Sequence, residues 1–118
     1  MARVSVTDEL LTVELQGLHR LWAFKRRISV PLTHVRGATA DPGIVRERKG
    51  LRAPGLQVPG AVIGTFHRNG EKHFWDVRSG TRAVVIELTD EDYDRLVVEV
   101  PDPRATVDAV NHALSRPR

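Results

Sequence analysis

An Asn-Gly pair between two alternating apolar and polar runs is the feature that most restricts the fold of this chain. Asn69 and Gly70 are the residues preferred at the centre of a type I′ turn, so residues 61–77 are predicted to form an antiparallel hairpin. The register that follows places Gly64 opposite Trp75. Because a glycine leaves room for an indole ring over the neighbouring strand, we expect Trp75 to lie in the core.

The same register directs Phe74 to the opposite face of the hairpin, where its ring needs a cover. The preceding segment 51–60 is interpreted as a stiff loop that supplies this cover, since it holds two Pro-Gly pairs, each typical of a type II turn. Asp76 is expected to pair with Arg52 and so to tie this loop to the sheet; the alternative is that the pair contacts a ligand. The predicted binding surface comprises Arg52, Pro54, Gly55, Pro59, Phe74 and Asp76.

Alternation and capping signals predict the other elements of the chain. Pro31 lacks an N–H group, so the strand that contains it should lie at a sheet edge or end there. The predicted elements are a hairpin over 3–14 with its tip at Asp8-Glu9, a short helix over 17–25, strands over 28–32, 35–40, 83–88 and 96–100, a capped helical turn at 89–92, and a closing amphipathic helix with Asp102 as N-cap.

These elements predict a mainly β fold of the α+β class. Consecutive hairpins with one terminal helix favour a partly open antiparallel barrel or sandwich of about seven or eight strands, its open end covered by the helix. A length of 118 residues fits one domain, placed at 1–115, with a frayed tail at 116–118. No run of 18 apolar residues and no apolar leader occur, so we expect a cytoplasmic protein.

No catalytic, cofactor or metal motif stands out in the sequence. It has no cysteine, and the hairpin register sends His67 and His73 to opposite faces, so we expect no metal site and no cofactor. Residues 1–78 carry a net charge of +6, from thirteen basic and seven acidic residues. Nucleic-acid binding is nevertheless not expected, because the basic clusters are far apart and only six aromatic residues accompany them.

The order of motifs resembles a family of small bacterial proteins without an assigned activity, over most of residues 10–110. The matching segments are 28–35, Leu51-Arg52-Ala53-Pro54-Gly55, Pro59-Gly60, 64–66 and 74–77. The order of strands before a last helix is also similar to bacterial pleckstrin-homology-like domains. That resemblance implies such a fold, but the acidic tip at Asp8-Glu9 argues against the inositol-lipid binding known for eukaryotic members.

Three hypotheses about function follow. The first is a non-enzymatic binding or assembly module that uses segment 51–60 and the adjacent sheet face to meet a protein, a second copy or an anionic ligand. The alternative is a small enzyme or ligand-binding barrel with Arg52, His73 and Asp76 in one pocket, although the register puts His73 and Asp76 on opposite faces. The third is weak association with an anionic membrane surface.

Overall fold

The computed structural model of the chain describes residues 2–14, 27–41, 51–58, 61–68, 70–77 and 82–115, and at 51–58, 61–63 and 68 it describes the backbone alone. Three predictions lie outside this part of the chain: the helix over 17–25, the turn residue Pro59 and the tail at 116–118.

Strands make up most of the described chain, and one helix follows them. The elements are β1 (Arg3–Val6), β2 (Leu10–Glu14), β3 (Arg27–Pro31), a 3₁₀ turn (Leu32–His34), β4 (Val35–Ala40), β5 (Leu51–Val58), β6 (Ala61–Arg68), β7 (Glu71–Val77), β8 (Ala83–Leu88), β9 (Arg95–Glu99) and α1 (Pro103–Ser115).

The strands form two sheets that share one core. A three-stranded sheet has the order β1-β2-β3, and a six-stranded sheet has the order β4-β8-β9-β7-β6-β5. The largest apolar cluster takes Leu11 and Val30 from the first sheet, Ile86 and Leu96 from the second, and Val110 from α1. This confirms a mainly β fold with a C-terminal helix. The two sheets are not closed into a barrel.

The first hairpin has the predicted register. Val4 pairs with Val13 and Val6 with Leu11, and these four side chains belong to or pack against the shared core. The turn between the strands is held by Thr7, whose N–H donates to the Leu10 carbonyl at 2.9 Å. Alternation of apolar and polar residues was sufficient to predict this pair because only one face is buried.

The β6–β7 hairpin is also confirmed residue by residue, including the pairing of Gly64 with Trp75. Gly70 has a φ of 80°, the left-handed conformation that a type I′ turn requires at its second position. Trp75 is 1% exposed and meets Phe66 edge to face, with 6.3 Å between ring centroids. The prediction that this face of the hairpin is core is therefore correct.

One pair of strands departs from the predicted antiparallel arrangement: β7 pairs with β9 in parallel. The pairing begins at Asp94, whose N–H donates to the Lys72 carbonyl at 2.8 Å. The Asp94 carboxylate accepts the Lys72 N–H, also at 2.8 Å. β9 therefore lies between β7 and β8, whereas consecutive hairpins would have placed β8 directly beside β7.

The helical turn predicted at 89–92 is wrong, since these residues form bends. Asp90 has a φ of 58°, in the left-handed region, which a right-handed helical turn does not contain. The bend is anchored by the Thr89 N–H, which donates to the His34 carbonyl at 2.9 Å.

The closing helix begins as predicted. The Asp102 carboxylate accepts the Ala105 N–H at 3.1 Å, and Pro103 occupies the first helical position. Val110 and Ala113 are the buried residues of α1, and they join the shared core. None of the helices in the described ranges has the length and apolar character needed to cross a membrane.

Candidate functional site

The Phe74 ring, predicted to sit under segment 51–60, lies instead in the shared core. It is 1% exposed, and its neighbour there is Tyr93, with 5.6 Å between ring centroids. Tyr93 is itself buried, and its hydroxyl lies 3.3 Å from the Thr65 hydroxyl. The interpretation of Phe74 as an uncovered ring is therefore wrong. It failed because this face of the hairpin packs into the shared core, which also contains Leu11 and Val30 of the three-stranded sheet.

Asp76 is buried as well, at 7% exposure, and pairs with Ile63 on β6 and Val98 on β9. The predicted pair of Asp76 with Arg52 depends on a side chain outside the described part of the chain. Along the backbone, Arg52 pairs with Phe66, which lies on the Trp75 face of the sheet.

The three residues of the alternative pocket do not share one face. His73 and Asp76 are three positions apart in β7, so their side chains point to opposite faces, as the register predicted. Phe66 of β6 pairs with Arg52 of β5 on one side and with His73 of β7 on the other, so these three positions lie in one row across the sheet. Because His73 and Asp76 lie on opposite faces of β7, this register argues against a single pocket lined by Arg52, His73 and Asp76.

Segment 51–58 is a strand, not the predicted loop. It forms β5, at one edge of the six-stranded sheet, with Gly55 paired to Gly64. The register shifts between Arg52 and Gly55, and Pro54 lies within that shift. A proline cannot donate to a ladder and is tolerated in an edge strand or at a bulge, which is how this segment accommodates it.

The edges of the two sheets are where another chain could bind, because each edge presents unpaired backbone N–H and C=O groups. The edge strands are β1 and β3 in the small sheet, and β4 and β5 in the large one. Two of these edges carry a proline that obstructs strand addition: Pro54 within β5 and Pro31 at the end of β3.

The edge of β4 is closed by α1. The Asn111 side chain accepts the Ala38 N–H through Oδ1 at 3.1 Å and donates from Nδ2 to the Ala38 carbonyl at 3.0 Å. A side-chain amide thus takes the place that the backbone of another strand would occupy. Ala38 itself is buried, and α1 packs along β4.

Replacing Asn111 with alanine should reopen this edge. We expect Asn111→Ala to lower the free energy of unfolding by about 1 kcal/mol, because two hydrogen bonds at a partly buried position are lost. Native-state hydrogen exchange should then be faster at the Ala38 amide. Asp108→Ala, on an exposed part of the same helix, is the control and should change stability by less than about 0.5 kcal/mol. An unchanged Ala38 exchange rate in Asn111→Ala would show that the amide does not protect the edge.

The edge of β1 is blocked neither by a proline nor by a described side-chain amide, although α1 contacts the strand. Its register with β2 is regular, it contains no proline, and β2 is the one described strand that pairs with it. Since Thr7 is hydrogen-bonded to Leu10, alternation of the ladder directs the backbone groups of Arg3 and Ser5 toward β2. The N–H and C=O groups of Val4 and Val6 therefore point away from β2. The Ala2 N–H lies in the same outward row and donates to the Glu99 carbonyl at 2.8 Å, whereas no such bond is made at Val4 or Val6 within the described part of the chain.

A shallow apolar groove, the β1–α1 groove, runs beside this edge. Its volume is about 220 Å³. Small and apolar side chains form most of its walls, while threonine hydroxyls and one imidazole lie among them. The lining residues are Val4, Val6, Thr7, Thr106, Ala109, His112 and Ala113.

Opposite charges mark the two ends of the β1 edge. Arg3 is exposed at the beginning of the strand, and Asp8 and Glu9 are exposed in the turn that follows it. Ser5, at the centre, is exposed too, whereas Val4 and Val6 are half-buried against the shared core. The edge therefore has ends of opposite charge, with Val4 and Val6 between them on the core side and Ser5 on the exposed side.

A second cleft, of about 210 Å³, lies between β3 and the bend at 91–93. Its charged groups already have partners within the chain. Arg27 meets Glu14 at 3.2 Å, and Asp92 meets Lys72 at 3.2 Å. Glu91 lies 2.5 Å from His34 Nδ1. These pairs hold the bend against the sheets, so we interpret this cleft as structural.

Sequence reasoning missed a row of polar side chains on the Trp75 face. His73, 3% exposed, lies 2.9 Å from Glu71 through its Nε2 atom, and β9 places Arg95 directly beside it. Arg95 in turn meets Glu87 of β8 at 3.2 Å. The parallel β7–β9 pairing creates this row, and no local signal in the sequence predicts that pairing.

Across the described residues, no three His, Cys, Asp or Glu side chains come close enough together to hold a metal ion. Of the sheet edges in the described part of the chain, the β1 edge at Val4 and Val6 is the one with neither a proline nor a side-chain amide bound along it. Its chemistry is that of binding, through backbone hydrogen bonds and a small apolar contact. Comparisons of this chain with protein-family models, with curated proteins and with solved structures found no match.

Proposed function

We propose that this protein is a non-enzymatic binding module that accepts an extended polypeptide strand at the edge of β1. The observation that carries the proposal is the set of outward-directed backbone groups at Val4 and Val6. An added strand would satisfy these groups with its own backbone and extend the three-stranded sheet by one.

The groove beside the edge supports a polypeptide rather than a small molecule. Small-molecule pockets commonly enclose about 300–1,000 Å³, whereas the β1–α1 groove has about 220 Å³ and is partly open. Because alternate side chains of a strand point to the same face, an added strand would direct every second residue toward the groove. Small apolar residues at those positions match the alanine and valine lining.

This proposal keeps the binding-module hypothesis but moves the surface from segment 51–60 to β1. The burial of Phe74 removes the aromatic contact from the earlier surface, and Pro54 interrupts the β5 edge. The resemblance to pleckstrin-homology-like domains remains a prediction about the fold. A shared fold does not imply a shared function, so we base no function on it.

Selection from a library of random peptides on the purified protein tests the proposal. We expect the selected peptides to be extended and apolar at alternate positions. Amide hydrogen exchange, followed by NMR, should slow at Val4 and Val6 when such a peptide binds, because both N–H groups become donors to its backbone. Peptides that bind without protecting either amide would contradict a site at this edge.

A proline at position 6 separates backbone recognition from side-chain contact. Val6→Pro removes the outward N–H without breaking the β1–β2 ladder, and Val6→Ala removes a similar part of the side chain but keeps that N–H. We expect Val6→Pro to weaken peptide binding about tenfold more than Val6→Ala does, as loss of a backbone hydrogen bond would. Equal dissociation constants for the two variants would rule out strand addition.

A further inference from the structure

We propose that the strand accepted at this edge is β1 of a second copy of the same chain, an inference that rests on the proposed function. Two copies would join about a two-fold axis with their β1 strands antiparallel. The two three-stranded sheets would then form one continuous sheet across the interface. Such an interface is isologous, so the β1 edge must be complementary to itself.

The backbone geometry fixes one register for this pairing. The outward groups belong to Val4 and Val6, and an antiparallel pair exchanges hydrogen bonds between residues that face each other. When Val4 faces Val6 of the second copy, both valines of each strand pair with each other, and Ser5 faces Ser5 of the second copy at the axis. Every outward N–H and C=O group of the two valines has a partner in this register.

The charges at the ends of the strand agree with the same register. Arg3 comes to lie opposite Thr7 of the second copy, close to the exposed Glu9 in its turn. Symmetry repeats this contact at the other end of the interface. Opposite charges on facing strands stabilise the pair, whereas a parallel arrangement would bring the two Arg3 side chains together.

The apolar centre of the edge is complementary to itself as well. Val4 and Val6 are half-buried on the core side of β1, next to the β1–α1 groove. In the proposed register the same two valines of the second copy extend this apolar row along the groove. Ala109 and Ala113 line it with small side chains, so valine side chains of a neighbouring strand fit its chemistry.

Charge substitution at the two-fold axis tests the inference. Ser5 is exposed, and its backbone groups point toward β2, so Ser5→Lys and Ser5→Glu should both fold, as far-ultraviolet circular dichroism would show. We expect the wild type and Ser5→Thr to dimerise in sedimentation equilibrium. Each charged variant should dimerise more weakly, because two like charges then face each other at the axis.

Mixing the two charged variants restores opposite charges across the axis. We expect the dissociation constant of the mixed dimer to be roughly tenfold lower than that of either charged homodimer. The advantage of the mixed dimer should shrink in high salt. If Ser5→Lys and Ser5→Glu both dimerise as the wild type does, the dimer uses another surface and the inference is overturned.

Dimerisation of the chain and peptide binding at the β1 edge can be tested separately. A wild-type chain that stays monomeric at all concentrations, while selected peptides still protect Val4 and Val6, would overturn the second copy and leave the proposed function standing. A monomeric chain on which no peptide protects these amides would overturn both.

Discussion

Trp75→Ala should lower the free energy of unfolding by about 3–5 kcal/mol, a large part of the stability of a domain this small. The indole is 1% exposed and packs in a cluster with Phe66, Val77 and Val97. Its edge-to-face contact with Phe66 adds to the buried area, with an angle of 75° between the rings. Alanine would leave a cavity between strands that the sheet holds in place, so little relaxation can compensate.

Urea unfolding followed by circular dichroism measures this loss. His67→Ala is the matched control, since His67 lies in the neighbouring strand of the same hairpin and is exposed. We expect the control to change the free energy of unfolding by less than about 0.5 kcal/mol. A loss of less than about 1 kcal/mol for Trp75→Ala would mean that the indole does not contribute to the core as its burial indicates.

Local pairings in this fold could be predicted from the sequence. The β6–β7 register follows from Asn69-Gly70, and the β1–β2 register follows from alternation around Asp8-Glu9. In both hairpins the partners are near in sequence, so turn chemistry and alternation determine which residues face each other. The helix start at Asp102 could be predicted for the same reason, because a cap acts within one turn.

Long-range pairings could not be predicted in this way. The insertion of β9 between β7 and β8 depends on the bend at 89–94, which returns the chain alongside Lys72. Segment 51–58 carries the local signals of a loop, yet its position at a sheet edge allows a proline within a register shift. Tertiary context decided both cases.

The candidate site was hidden from the sequence for a related reason. Alternation predicts that β1 is a strand, but it does not tell which sheet edges are covered. Asn111 closes the β4 edge from 73 positions away in the sequence, and no pattern links it to Ala38. Only after the edges closed by Asn111, Pro31 and Pro54 are known does β1 become the candidate.

The second large effect is expected for Phe74→Ser. Removing this ring costs about 3–5 kcal/mol through the cavity alone, and serine adds a buried hydroxyl that must find a hydrogen-bond partner. Since small domains have about 5–15 kcal/mol of stability, we expect this variant to be largely unfolded in thermal and urea denaturation. Phe74→Leu, which keeps an apolar side chain beside Tyr93, should remain folded with a smaller loss.

The result for Phe74 also decides between the two surfaces. If the ring were an exposed contact, Phe74→Ser would leave stability unchanged and weaken only the binding of a partner, and segment 51–60 would again be the candidate surface. Burial of Phe74 at 1% exposure predicts loss of the fold in Phe74→Ser. The outward direction of the Val6 N–H predicts that Val6→Pro folds but loses binding. The two variants together therefore test whether binding is separable from the core, as a site formed by the backbone of an edge strand requires.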